Sequence, residues 1–527
     1  MTAIESQRLH PRLQQSPTST PLSILDATVA RFAPTGAIWI FDEKPTNLHE
    51  EIFLSSLRVS FIETLSKFPQ WAGQIQWAPV KSNGCHTERF NRPILVYGTD
   101  TDPGVDWKVV RHPCRIHEIV PTAKDRASKV TGNRPGAWNG NVFNQGLFLP
   151  SAPLALHNLK ECIGLPGMQV QISLLQDGGY AIGVKIAHCL ADAQALMVFV
   201  HLWAANNQKQ IGLNPQGSTM ADPIFNPALL DNSAAGDIDA PEPDSTLTKV
   251  ARELPLHRYS WWDTSDKAYP TVCIPTTENS KPPSADLALA IQQNKITPST
   301  PAPWSSWDFA KPISYTLLHF TAAQLRTIQA QAQALNTQES RKDISRLDAL
   351  LAHLWKSITK ARKDTAPESP DPIYLNLSLG VRTRTQPPLP QTFIGSPLFL
   401  THVSMPGTQN SQAPLSEIAA RIRDTMKKFT PEAVGAILHD AAHEISPQRL
   451  WQGFLGRGHV LATSWLRLGL YDVSFGGGGV PRYVHAVMPK VDGCLQVMDD
   501  AVEGGGMDVA LYLDDGDMRT LLGDSLL

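Results

Sequence analysis

The spacing of apolar and polar residues changes period several times along this chain, and each change predicts an element. Residues 50–69, EEIFLSSLRVSFIETLSKFP, set Ile52, Leu57, Val59, Phe61, Ile62, Leu65 and Phe68 at mixed three- and four-residue intervals, the spacing of an amphipathic helix. Residues 168–188 switch to period two. Val170, Ile172 and Leu174 alternate, Asp177-Gly178-Gly179 turns, and Ile182, Val184 and Ile186 alternate again. This predicts a β-hairpin whose even-numbered face runs on to His188. A helix follows, with Leu196, Phe199, Val200 and Trp203 on one side. Later, ISYTLLHF (313–320) and YLNLSLGVR (374–382) read as strands. Thr321 and Gln324 form the ends of a capping box. Leu347, Leu350, Leu351, Leu354 and Ile358 line a further helix, SEIAARIRDTMKKF (416–429) is another, and YVHAVMP and VALYL are strand-like. Strands alternating with helices give an α/β chain.

Between these regions the pattern lapses. Residues 206–310 are rich in Pro, Ser, Asp and Asn, and read as a long linker or surface excursion, partly ordered around residues 260–262. Residues 1–20 are polar and read as a disordered tail. The expected organisation is therefore a tail at 1–20, a first domain at 21–205, a linker at 206–310 and a second domain at 311–527.

Composition narrows the function classes. In 527 residues, 42% are hydrophobic and 18% charged, which is enough for a large core and excludes global disorder. The net charge of −3 provides no basic field for nucleic acid. No apolar run reaches the ~18 residues of a membrane span, and the polar N-terminus lacks the apolar core of a secretory signal. Six scattered cysteines without a CxxC point to a reduced, cytoplasmic setting.

Four segments are candidates for chemistry. His188-Cys-Leu-Ala-Asp192 puts an imidazole at the end of a buried strand, where it can take a proton from a hydroxyl or amine. With sixteen histidines in the chain, the HxxxD pattern alone is weak, and a satisfied core histidine is the competing reading. Asp472-Val-Ser-Phe-Gly-Gly-Gly-Gly479-Val-Pro481 lets the backbone approach closely, but it lacks the residues of a phosphate loop, so a structural bend is expected. Arg382 and Arg384 precede a Pro-rich turn, where an arginine is either solvated or buried against a carboxylate or phosphate. His439 and His443 share a helical face without the Glu of HExxH, so a packing or surface role is expected and no metal.

Taken in order, these segments resemble the BAHD superfamily of CoA-dependent acyltransferases, in particular its fungal secondary-metabolite O-acyltransferases. LSILDATVARF resembles the family's opening LSxxD segment, and the hairpin with IAHCLADAQAL resembles its HxxxD unit. LGVRTRTQPPLPQTFIGSPL resembles DxRxRxxPPLPxxyxGN, and VSFGGGGVPRYV stands where DFGWGxP is expected. EGGGMDVALYLDDGDM resembles the closing strand and turn. The resemblance covers nearly the whole chain. It implies two chloramphenicol-acetyltransferase-like domains, each a mixed sheet flanked by helices, with a channel between them. The segment at about 472–490 would cross back to the first sheet.

The resemblance also implies the activity: transfer of an acyl group, by default acetyl, from CoA to a hydroxyl of a specialised-metabolite acceptor. His188 would be the general base, and no acyl-enzyme would form, so Cys189 would not be a nucleophile. Asp192 would pair with an arginine, for which Arg382 is the candidate. Phe475, Gly476 and Gly478 would be structural elements at the channel wall, with Asp472 serving for the family's Asp, which is Ser474 here. The family's Trp is Gly477, so a backbone N–H of the glycine run would have to replace any indole contact to an oxyanion. Acyl-CoA would be a co-substrate, with no permanently bound cofactor, no metal and no nucleic-acid or membrane partner, and the chain would be a monomer. The alternatives are a non-catalytic binding protein on the same fold, and an N-acyltransferase or condensation-type enzyme.

Overall fold

A computed structural model describes residues 2–12, 16–44, 48–81, 84–214, 221–263, 265–270, 297–334, 344–362, 371–476, 479–502, 504–523 and 527. Two large sheets organise it. In chain order their strands are β1 (Thr2–Leu9), β2 (Thr35–Phe41), β3 (Val105–Arg111), β4 (Ala137–Asn139), β5 (Met168–Leu174), β6 (Tyr180–Ile186), β7 (Ile313–Phe320), β8 (Pro372–Gly380), β9 (Leu398–Pro406), β10 (His459–Ser464), β11 (Tyr483–Ala486), β12 (Cys494–Asp499) and β13 (Met507–Asp514). The first sheet has the order β1-β3-β5-β6-β2-β11, and the second β9-β8-β10-β12-β13-β7-β4. Both are mixed: β3 and β5 run parallel, as do β8, β10 and β12, and the remaining neighbours run antiparallel.

Each half of the chain lends a strand to the other's sheet. β4 pairs with β7 through Leu317↔Trp138, and β11 pairs with β2 through Tyr483↔Ile40. The predicted hairpin is β5–β6, with Val170 opposite Val184 and Ile172 opposite Ile182. Both faces of β5 are buried, so its Gln169, Gln171 and Ser173 need partners inside; Gln171 Nε2 donates to the Leu147 carbonyl at 2.7 Å.

Helices cover the first sheet. α1 (Ile24–Val29) opens with a Ser23/Asp26 capping box. α2 (Glu50–Leu65) carries two buried stripes. Phe53, Leu57, Phe61 and Leu65 face the core, while Ser56, Ser60 and Thr64 face α3 (Ala193–Gln210). Ile52, expected on the apolar face, is 53% exposed because it lies on the far side of the Phe53 stripe. In the second half, the Thr321/Gln324 capping box and the buried face Leu350, Leu351, Leu354 and Ile358 form as the spacing predicts.

Three boundary expectations are corrected. The described residues within 1–20 are not a disordered tail: β1 pairs along its length with β3, and Thr18–Pro21 forms a short strand on Pro93–Tyr97. β1 is an edge strand with mostly exposed side chains, so main-chain bonds define it and its polar sequence hides it. The first domain does not stop at residue 205, because α3 continues to Gln210. Its polar end is buried: Asn206 Nδ2 donates to Thr64 Oγ1 at 3.0 Å, and Asn207 Nδ2 donates to Ser56 Oγ at 3.2 Å. The described parts of 206–310 are more than linker. Helices Ala228–Asp231 and Ser245–Glu253 pack into a buried cluster with residues 434–438, and Tyr259–Ser260 pairs with Leu450–Trp451.

Among the described residues no helix is long and apolar enough to cross a membrane. The core beneath α2 and α3 is aromatic, with Phe61 packed 5.3 Å from Trp107, 5.4 Å from Phe199 and 5.1 Å from Trp203, ring centre to ring centre. Phe61→Ala is expected to destabilise the protein by about 3–5 kcal/mol, read from denaturant unfolding; a loss below about 1 kcal/mol would contradict this packing.

Candidate active site

β6 ends at Ile186, and His188 lies in the turn that follows it, before α3. The turn is tied down on both sides. Ala187 N–H donates to the Gly167 carbonyl at 2.8 Å, and Thr35 Oγ1 donates to the Ala191 carbonyl at 2.7 Å. The His188 side chain is half-buried, with the Phe32 ring edge-on at 5.4 Å. Its Nδ1 lies 3.2 Å from Ser396 Oγ.

Ser396 determines the state of the imidazole. Its hydroxyl has one proton, which it donates to the His188 main-chain carbonyl. Ser396 Oγ therefore accepts from His188 Nδ1–H, and the lone pair of the neutral ring lies on Nε2. Burial lowers the His188 pKa, opposed by an interaction with its own main chain and by the Asp192 charge. Ser396 is itself held by its N–H, which donates to Asp26 Oδ1 at 2.6 Å. Asp26 also accepts from Ser23 N–H at 3.0 Å and from the Ser23 hydroxyl. Burial raises the Asp26 carboxyl pKa to about 7, with those donors opposing the rise. Gly395 has φ +149°, and a side chain there would press on the Phe393 ring at 3.1 Å and on Asp26 Oδ1 at 3.2 Å.

Asp192 is the N-cap of α3. Its Oδ1 accepts from Ala195 N–H at 2.9 Å, and its own N–H donates to the Gly395 carbonyl at 3.1 Å. Arg382 reaches it from the end of β8 in a two-pronged pair: Nη2 donates to Oδ1 at 2.9 Å and Nη1 to Oδ2. Both side chains are buried. Arg382 Nη2 also donates to the Phe393 carbonyl at 3.1 Å. Arg384 instead donates to the Met426 and Phe429 carbonyls at 3.0 and 2.8 Å.

The glycine-rich segment differs from expectation. Phe475 is fully buried in the first core, 4.7 Å from the Trp203 ring and 6.2 Å from Phe41, so it cannot line a solvent channel. Gly476 is buried at φ +65°, and its N–H is taken by Asn207 Oδ1 at 2.7 Å. It is thus not a free donor for an oxyanion. Asp472 is exposed in a turn closed by its N–H on the Gly469 carbonyl, so it does not fill a buried orienting position. Gly477 and Gly478 lie outside the described residues. His439 accepts from Asp244 N–H at 2.9 Å and His443 bonds main-chain carbonyls, which are packing roles.

His188 lines a cavity of about 250 Å³ together with Arg31, Phe32, Leu156, Trp261 and Trp451. A second cavity of about 360 Å³ opens where the two sheets meet, lined by Tyr315, His485, Lys490 and Tyr512. Burial pushes His485 down to about 3, and it sits between the Tyr483 hydroxyl and Gln145 Oε1. Ser396, Asp26 and these cavity residues were not reached by sequence reasoning as site groups. For Ser396 and Asp26 the only signal was their place in the GSP and LSxxD segments.

A family model described as "Transferase family" matches residues 259–525, just over half of the chain. Acyltransferase AFT15-1 of Alternaria alternata is 26% identical over 465 residues, which are 87% of this chain and 82% of that protein. Stemmadenine O-acetyltransferase of Catharanthus roseus is 22% identical over 365 residues, 68% of this chain and 65% of that protein. The crystal structure of F. graminearum TRI101 complexed with ethyl coenzyme A superposes with a TM-score of 0.63 at 15% identity, covering 97% of this chain and 98% of TRI101. At that identity the structural likeness concerns the fold, which is the two-domain, mixed-sheet fold expected from the sequence. By its family match and its relatives, the chain belongs to the Transferase family and is a CoA-dependent acyltransferase of the BAHD type.

Proposed function

We propose that the enzyme moves an acetyl group from CoA to a hydroxyl of a specialised-metabolite acceptor, with His188 as general base. The observation that carries this reading is the Ser396 contact, which leaves the Nε2 lone pair of a neutral imidazole in a residue lining a cavity. Nε2 takes the acceptor hydroxyl proton as the oxygen attacks the thioester carbonyl. The tetrahedral oxyanion collapses, the C–S bond breaks, and the leaving CoA thiolate recovers the proton from Nε2–H. A neighbouring nucleophile is disfavoured, because burial pushes the Cys189 thiol pKa well up and withholds the thiolate. CoA as co-substrate agrees with the complex of TRI101, and acetyl transfer to oxygen agrees with the name of the Catharanthus relative. Asp192 and Arg382 act as positioning residues that fix the turn carrying His188.

Acyl transfer is tested with acetyl-CoA and a pool of hydroxylated metabolites, read by mass spectrometry as acetyl-sized gains. His188→Ala should lower turnover by about 10²–10⁴-fold while thermal unfolding stays near wild type; wild-type turnover in that variant would refute the assignment. The pH profile is a separate check. The neutral ring is the active form, and burial disfavours the charged one, so the acid limb of kcat/KM should fall below the ordinary imidazole value of about 6.5. An acid limb above that value would contradict a buried base.

Asp192→Asn isolates the ion pair, because Asn caps a helix as well as Asp does. It leaves the Arg382 charge buried without a counter-charge, so a loss of about 3–5 kcal/mol is expected in denaturant unfolding. A change within about 0.5 kcal/mol would show that the pair does not hold the turn.

A further inference from the structure

The cavity beside His188 has an apolar wall and one unusual polar member. Phe32, Leu154, Leu156, Trp261 and Trp451 are among its apolar lining, and Arg31 joins them. Arg31 Nη1 donates to the main-chain carbonyls of Gln448, at 3.3 Å, and Leu450, which uses both of its protons. Its guanidinium carbon lies 5.3 Å from the Phe32 ring centre. Nη2 and Nε have no partner among the described residues, in a side chain that lines the cavity.

No carboxylate pairs with Arg31 among the described residues. Those on the adjoining segment are occupied: Glu444 by Arg449 at 3.2 Å and Arg258 at 3.1 Å, and Asp440 by Arg252 and Arg258, each at 3.0 Å. Burial lowers the Arg31 pKa to about 9, with no nearby charge opposing the shift. Besides His188, the lining holds His157, which has Glu161 3.8 Å away, and that carboxylate is largely exposed. A desolvated guanidinium that offers its Nη2–Nε edge matches the two oxygens of a carboxylate.

We propose that this cavity receives the acceptor, and that the acceptor is an apolar or aromatic hydroxy acid whose carboxylate is held by the Nη2–Nε edge of Arg31. This rests on the reading of His188 as the site of acyl transfer. CoA is a poorer occupant, because its phosphates need several cations and the wall offers one arginine among aromatic and aliphatic groups.

The test uses four probes: tropic acid, ricinoleic acid and the methyl ester of each. Binding is read by calorimetry and by tryptophan fluorescence on full-length His188→Ala, where no turnover intervenes. At least one acid should bind about 10–100-fold more tightly than its ester. Arg31→Gln in the same background should abolish that preference, and Arg31→Lys should keep part of it, which separates lost charge from lost folding. Equal binding of acid and ester, no binding of either acid, or a preference that survives in folded Arg31→Gln overturns the proposal. Binding is measured without the imidazole, so such a failure leaves the general-base reading intact. Conversely, failure of the general base in turnover assays leaves the acid preference standing.

Discussion

The two-pronged bond between Asp192 and Arg382 joins two distant parts of the chain beside the turn that carries His188. Removing both charges from water is costly, and the two-pronged bond offsets that cost, although Arg382 Nε stays buried without a partner among the described residues. Asp192 Oδ1 also accepts from the Ala195 N–H in the first turn of α3, and Arg382 also reaches the Phe393 carbonyl. The two segments are fastened again through the Asp192 N–H on Gly395 and the Ser396 hydroxyl on the His188 carbonyl. Asp26 then ties the N-terminal segment to the same loop through Ser396 N–H. The imidazole is therefore held by a connected set of hydrogen bonds from three parts of the chain.

This arrangement explains which parts of the site were legible in the sequence. The hairpin before His188 has period two and a Gly-rich turn, and both are local signals. Asp192 and Arg382 stood out through the HxxxD and RxR segments that carry the family resemblance, which implied their pairing. Ser396 was hidden because one serine between Gly395 and Pro397 looks like any turn residue, and its role exists only once His188 is brought to it. Arg31 was hidden in the same way, since the carbonyls it meets lie more than four hundred positions away.

The misreadings have a common cause. Polar residues were assigned to solvent, yet β1 is held by main-chain bonds that side-chain chemistry does not announce, and Asn206 and Asn207 are buried because Ser and Thr on α2 satisfy them. In the glycine-rich segment the error ran the other way. Phe475 and Gly476 look like a wall for a ligand, but they complete the core around Trp203 and Asn207. Only the tertiary partner distinguishes a residue that shapes a cavity from one that fills space.

The strand exchange between the halves constrains how the protein is made. β11 closes the first sheet by pairing Tyr483 with Ile40, and β4 waits on the edge of β7. During synthesis, the N-terminal half emerges from the ribosome with β2 exposed as a bare sheet edge. That edge stays open until nearly the whole chain has been translated. Contacts of such long sequence separation form slowly, and an unpaired edge invites association with other nascent chains. The first sheet is therefore complete only after β11, far along the chain, has been made.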